Sequence, residues 1–308
     1  MIKIVEDFIK KYTGILLIVA CGVGLLFPQL NIFKDLIFYI LLLLLFCSFL
    51  KIEFNLKHFI NPKLLLFPLF NWFLLPLLVY FISRSLIPDY RIGLLFAIIT
   101  PPALGSPVII SITKGDLEFM MSNVMIYNLL SPIAYTLIPV FLFKDDQIFI
   151  PVKPILLRVV TVVMIPLVLA LIVRTHKRSK DWIITHIDSR KNILQIFMVS
   201  VAVASASLRI RQTPLSEIGL LFLITFSLTL ISYGSGYFIS RKNPVMQRTL
   251  PVAMGHKNTL LAIMICITNF SPIAALPTVF YLFSHHIFNG ILIQISARKD
   301  FSEASTKL

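Results

Sequence analysis

Apolar residues in this 308-residue chain come in blocks, and the length of those blocks is what most limits the fold. They cover residues 12–30, 36–52, 64–83, 92–113 and 117–143, then 155–173, 193–208, 218–240, 249–270 and 274–295. Each is close to the roughly 20 residues that carry a helix through a hydrocarbon layer about 30 Å thick. A membrane barrel would be written instead as alternating segments of about 10 residues. Charged residues make up 14% of the chain, against about 25% in a soluble domain. The expected class is an all-α polytopic membrane protein with about ten transmembrane helices, solvated by membrane lipid.

The basic excess, 28 Lys and Arg against 14 Asp and Glu, is spread as an orientation signal rather than as a nucleic-acid footprint. With both termini taken as cytoplasmic, nineteen basic residues fall inside and seven outside, with Arg158 and Lys257 left within spans. Both ends on one side also requires an even number of spans. The expected location is the plasma membrane, specifically a bacterial inner membrane. The apolar run behind Lys10 and Lys11 continues to about Pro28 without a small-residue cleavage pattern, and Glu6 and Asp7 precede it. It therefore reads as the first span and not as a signal peptide. No transit peptide, lipidation motif or appended soluble domain is visible. Cys21, Cys47 and Cys266 lie in apolar stretches, and their odd number and spacing give no disulfide or metal framework. The longest polar gap, 174–192, contains Trp182, Ile183, Ile184 and Ile187, the composition of a short interfacial helix.

Five spans in each half is an odd number, so the second half must enter the membrane in the opposite sense. That is the signature of an inverted-repeat transporter. Residues 1–150 and 151–308 are expected to form two inverted five-helix repeats within a single membrane domain. The pentapeptide Tyr80-Phe81-Ile82-Ser83-Arg84 recurs as Tyr237-Phe238-Ile239-Ser240-Arg241. Each copy ends the third span of its half.

The fourth span of each half is the least helical. Thr100-Pro101-Pro102-Ala103-Leu104-Gly105-Ser106-Pro107 sets three prolines and a glycine at mid-span, so the helix must break within 101–107. Its counterpart reads Pro251-Val252-Ala253-Met254-Gly255-His256-Lys257-Asn258, with Pro251 and Gly255 as breakers. A break is tolerated at membrane depth only where protein encloses it or it lines a cavity. Paired interruptions in the two halves point to a transporter's binding site. Half-helix N-termini favour anions there, and C-terminal carbonyls favour cations. Lys257 sharpens this. A charge at the bilayer centre costs roughly 2.5–3.5 kcal/mol on insertion scales, and no Asp or Glu lies mid-span elsewhere to pair with it. Such an ammonium reads as part of a polar site that receives an anion; the plainer alternative is a lysine that snorkels or bonds only to carbonyls.

Further matches run in order over nearly the whole chain. They are Asn71-Trp72-Phe73-Leu74-Leu75-Pro76, the stretch from Pro101 to the turn Lys114-Gly115-Asp116, Ser131-Pro132, Gly255-His256-Lys257-Asn258-Thr259-Leu260-Leu261-Ala262, and Pro277 followed by His285. In these the chain resembles the bile acid:sodium symporter family, whose second-half signature is Gly-x-Gln-Asn-x-x-Leu-Ala. The resemblance implies ten helices in panel and core domains, with the two broken helices crossing in the core. It also implies alternating access for an organic anion coupled to two sodium ions.

On this pattern Lys257, Asn258, Ser106, His256 and His285 are the expected substrate-binding residues. Asn71, Ser106 and Lys257 are remnants of cation sites, and Pro101, Pro102, Gly105, Pro107 and Gly255 are the helix breakers. The departures fall on the cation sites. Ala253 stands where the family has a carboxylate and Lys257 where it has a glutamine. Pro107 replaces an asparagine, and Met120 and Val124 replace two hydroxyls. Too few oxygens remain for sodium. A loaded family site, two sodium ions and one carboxylate, carries a net charge of plus one; so does Lys257 alone. The expectation is a secondary transporter of a small organic anion in which the ammonium replaces the cations. Sodium coupling is then unsupported, and proton loss from Lys257 during the cycle is an alternative coupling step. No cofactor, metal or nucleic acid is expected.

His256 either lines the cavity or packs in the core. His285 and His286 are adjacent, and adjacent helical residues cannot aim at one metal. Asp116 and Glu118 are expected to be solvated at a turn, and Arg158 to snorkel. An enzyme is not expected. In Tyr233-Gly234-Ser235-Gly236, Tyr233 occupies the position where a membrane serine protease needs glycine, and small residues in a span more often permit close packing. A non-transporting membrane sensor is the remaining alternative, although its usual mark, a soluble output domain, is not seen.

Overall fold

The computed structural model describes residues 15–51, 61–144, 146, 148–187 and 190–305. Lys3, Glu6, Asp7, Lys10, Lys11, Lys57 and Lys307, the opening of the first expected span and the last residue of the second lie outside them. Helix α1 (Ile15–Leu26) leads through a 3-10 turn, Pro28–Phe33, to α2 (Leu36–Phe49). Then follow α3 (Pro62–Ile82), α4 (Pro88–Ile99), α5 (Ser106–Thr113), α6 (Leu117–Leu142) and α7 (Val152–Arg174). The second part contains α8 (Lys177–His186), α9 (Lys191–Gln212), α10 (Leu215–Ile239), α11 (Pro244–Gly255), α12 (Thr259–Asn269) and α13 (Leu276–Ser305).

Among the described residues, α3, α6, α7, α9, α10 and the stretch Pro272–Ala297 are long and apolar enough to cross a membrane. Helices α1, α2 and α12 are apolar but shorter. Both interrupted spans are present as pairs of short helices, α4 with α5 and α11 with α12. The protein is thus an all-helical, polytopic membrane protein. Its outer helices expose apolar side chains, such as Leu157, Ile165 and Ile172 on α7 and Leu223, Leu230 and Phe238 on α10. An apolar exterior of that extent suits lipid and not water. In contrast, α4 is buried from Tyr90 to Ile99, and α11 from Thr249 to Gly255. The two breaks are therefore enclosed by protein, while α5 keeps Val108 and Ile112 exposed.

Local chemistry explains most irregularities. Between Pro68 and Pro76, neither of which can donate to the helix ladder, α3 widens into a π-helical turn over Leu69–Leu74. In α6, Pro132 cannot donate to the Asn128 carbonyl, and the Ser131 hydroxyl does so instead at 2.7 Å. Helix α5 ends on Lys114 in the left-handed region at φ 55°. At the next residue, a Cβ on Gly115 would stand 2.6 Å from the Thr249 hydroxyl. Asp116 is not merely solvated. Its carboxylate caps α6 by accepting from the Phe119 amide at 2.9 Å, and its own amide donates to Thr249 at 2.7 Å.

Helices α10 and α11 make the most extensive pairing among the described residues. The Gly-Ser-Gly stretch permits it, because a Cβ on Gly236 would lie 2.6 Å from the Leu250 backbone. Ser235 simply bonds the Ser232 carbonyl of its own helix. Of the cysteines, Cys47 and Cys266 are buried but Cys21 is only half-buried, where α1 meets the surface.

Candidate functional site

A helix broken at mid-depth leaves carbonyls at the end of one half and amides at the start of the other. Each costs about 1–3 kcal/mol if buried without a partner. Here the two breaks satisfy one another. Residues 101–103 and 256–258 run past each other, with Pro102 and Lys257 paired as an antiparallel bridge. The Ala103 amide donates to the His256 carbonyl at 2.9 Å, and the Asn258 amide to the Pro101 carbonyl at 2.9 Å. Pro101 and Pro102 themselves bring no amides that would need partners. Two further carbonyls are met by side chains. Asn128 on α6 donates to Pro102 at 3.0 Å, and Tyr281 on α13 donates to Gly255 at 3.0 Å.

The expected breakers divide into two groups. Pro101, Pro102 and Gly105 lie in the first gap, and Gly255 closes α11. Pro107, however, sits in the first turn of α5, where a missing amide costs nothing. Pro251 lies inside α11 without ending it. Gly255 has a steric role too, since a Cβ there would fall 2.0 Å from the Tyr233 ring.

Successive side chains of an extended strand point to opposite sides, and this separates the candidate residues. On one side His256 Nδ1 lies 3.0 Å from the Ser106 hydroxyl at the start of α5. Its ring is 4.7 Å from His285, which is in turn 4.7 Å from His286. His285 Nδ1 and His286 Nε2 have no partner among the described residues. Nearby, Tyr233 donates to Asn289 at 2.7 Å and leaves the Asn289 amide nitrogen unpaired. Ser106, His256 and His285 are therefore brought together.

Lys257 points the other way and is 1% exposed. Its Nζ has no hydrogen-bond partner among the described residues and stands 4.3 Å above the centre of the Phe67 ring. Phe67 stacks on Tyr127 at 4.5 Å, and Trp72 meets both rings edge-on. Trp72 is fixed by donating to the Ile99 carbonyl at 2.8 Å, and Tyr127 by donating to Leu64 at 2.6 Å. One ring face offsets about 2 kcal/mol, whereas removing an ammonium from water costs several kcal/mol. Asn258 reaches Asn128 at 3.5 Å, a marginal bond.

Asn71 lies on the π-turn of α3 and donates to the Phe67 carbonyl at 3.3 Å. It makes no bond to Lys257, and its side-chain oxygen is buried without a partner among the described residues, as is that of Asn123 on α6. Ala253, Met120 and Val124 are buried and present no side-chain oxygen. No group of three or more His, Cys, Asp or Glu able to hold a metal occurs among the described residues.

Sequence reading missed Asn123 and Asn128, although two amides inside an apolar span were a usable signal. It also missed Phe67, Tyr127 and Tyr281. Aromatic residues in an apolar block are indistinguishable from lipid-facing ones until the partner helix is known.

Comparison with known proteins adds two findings. The model of the sodium bile acid symporter family matches residues 36–230. A protein of Bacillus subtilis (strain 168), "Uncharacterized sodium-dependent transporter YocS", is 22% identical over 220 residues, or 68% of this chain. The chain spans 65% of that relative's length. The second break, at 256–258, lies past the stretch matched by the family model.

Proposed function

Since the chain belongs to the sodium bile acid symporter family, we propose that it is a secondary transporter moving a small organic anion by alternating access. In this reading ten spans form two inverted repeats, 1–150 and 151–308, with both termini cytoplasmic. The two breaks cross at the centre of a core domain that rocks against a panel domain. One observation carries the proposal: a buried lysine, Lys257, stands at the crossing with an aromatic face beneath its amine and no hydrogen-bond partner among the described residues. Once protonated, an amine in low dielectric with no carboxylate bonded to it among the described residues favours an anion. Ser106, His256 and His285 offer donors and acceptors on the opposite side of the crossing, Asn258 follows Lys257 in the chain, and Lys257 takes the place of bound cations.

Sodium coupling is a second reading, favoured by the sodium dependence in the name of the Bacillus relative. The unpaired oxygens of Asn71 and Asn123 are its candidate ligands. Against it stand Ala253, Met120 and Val124, which contribute no side-chain oxygen. An enzyme is disfavoured by the family and by Ser235, whose hydroxyl is engaged within its own helix.

The test is uptake of a panel of labelled organic anions into proteoliposomes, with sodium and pH gradients imposed separately. Uptake independent of sodium and lost in Lys257→Met supports the ammonium mechanism. Sodium-driven uptake, or undiminished transport by the variant, overturns it. Ligand binding without uptake would favour a sensor.

A further inference from the structure

We infer that α8 docks on the anionic headgroups of the membrane leaflet beside it. Only Thr175 and His176 separate α8 from the end of α7, so α8 begins where that span leaves the apolar layer. The end of α7 is held in place by Arg174, whose guanidinium donates to the Leu50 carbonyl. The helix has one face turned to the protein, where Ile183 packs against the apolar core and Ile184 and Ile187 are half-buried.

The other face carries Arg178, Trp182 and His186 at four-residue spacing, which aligns them in one stripe. All three are exposed, and Trp182 is 57% exposed. Its ring stacks on His186 at 5.0 Å, and His186 in turn bonds the Trp182 carbonyl at 2.9 Å. The indole is thus held outward and not left free to fold back. None of the helix is buried, and Lys177, Arg178 and Lys180 stand against Asp181 as its only acid.

An ordered, outward-facing indole flanked by cations suits one environment well. Indoles settle at the headgroup level of a bilayer, and each cation near an anionic leaflet is worth about five-fold in local affinity. A purely solvated face would account for the lysines and the arginine but not for a tryptophan ordered between them. The helix lies in the segment with the densest basic charge, on the side proposed to be cytoplasmic, where anionic lipid gives the greatest attraction.

The full chain is to be placed in nanodiscs of phosphatidylcholine, alone or with one-third phosphatidylglycerol, using acyl chains brominated near the headgroup. Subtracting the fluorescence of Trp182→Phe isolates Trp182. The expected result is blue-shifted emission and at least two-fold stronger quenching in the anionic discs. The composition effect should disappear in a Lys177→Gln, Arg178→Gln, Lys180→Gln variant and weaken in Arg178→Gln alone. Equal thermal unfolding of these variants in neutral discs controls for folding. Emission that ignores lipid composition, or a composition effect that survives neutralisation, overturns the proposal. An acidic protein partner would give the first of those results. Neither outcome depends on whether any anion is transported.

Discussion

Lys257 combines an ionisable group, full burial and an aromatic face in place of a hydrogen bond among the described residues, a combination that stability alone does not maintain. Replacing it by Met keeps the volume and removes the unsatisfied group. The Lys257→Met protein should therefore unfold at an equal or higher midpoint, by up to about 1–3 kcal/mol, while losing anion uptake. Thermal unfolding and transport measured on the same preparation separate the two effects. Gly255 is the opposite case, a residue defined by what it excludes. Gly255→Ala drives a methyl into Tyr233 and should cost about 1–3 kcal/mol, as overpacking does, with part of the loss recovered by adding Tyr233→Ala. Lys257 could be picked out from sequence because charge in an apolar block is rare. Its surroundings could not. Phe67 lies on α3 and Asn128 on α6, and nothing local in either segment marks which neighbour it meets.

Among the helices, α6 offers a clean test of how an irregularity is compensated. Ser131 supplies the donor that Pro132 lacks. Ser131→Ala should cost about 1 kcal/mol in the native background and close to nothing beside Pro132→Ala, which restores the backbone bond. A double-mutant cycle in denaturant measures that coupling. The breaks in α4–α5 and α11–α12 were legible from proline and glycine, but their edges were not. Pro107 falls in a first turn that needs no amide, and Pro251 is absorbed within α11. The π-turn in α3 and the shortness of α2 also escaped notice. A helix surrounded by lipid or by other apolar helices carries little periodicity to read.

For the molecule as a unit, the central fact is that each half of the chain completes the backbone of the other. The Pro101 carbonyl has its partner in Asn258, and the His256 carbonyl in Ala103. A second tie joins the halves where the Asp116 amide donates to the Thr249 hydroxyl at 2.7 Å. Segments 1–150 and 151–308 expressed separately should each fail to give a monodisperse species. Co-expressed, they should associate and unfold in one transition. Size-exclusion profiles and thermal melts of the three preparations decide this, and a sharp transition from either half alone would contradict it.

The same reciprocity bears on how the protein is made. Synthesis runs at about 5–20 residues per second, so the segment around Pro102 is inserted on the order of ten seconds before Lys257 leaves the ribosome. For that interval its exposed carbonyls sit at bilayer depth with no mate. The newborn chain must keep them hydrated, either inside the insertion machinery or beside a water-filled crevice, until the later strand arrives.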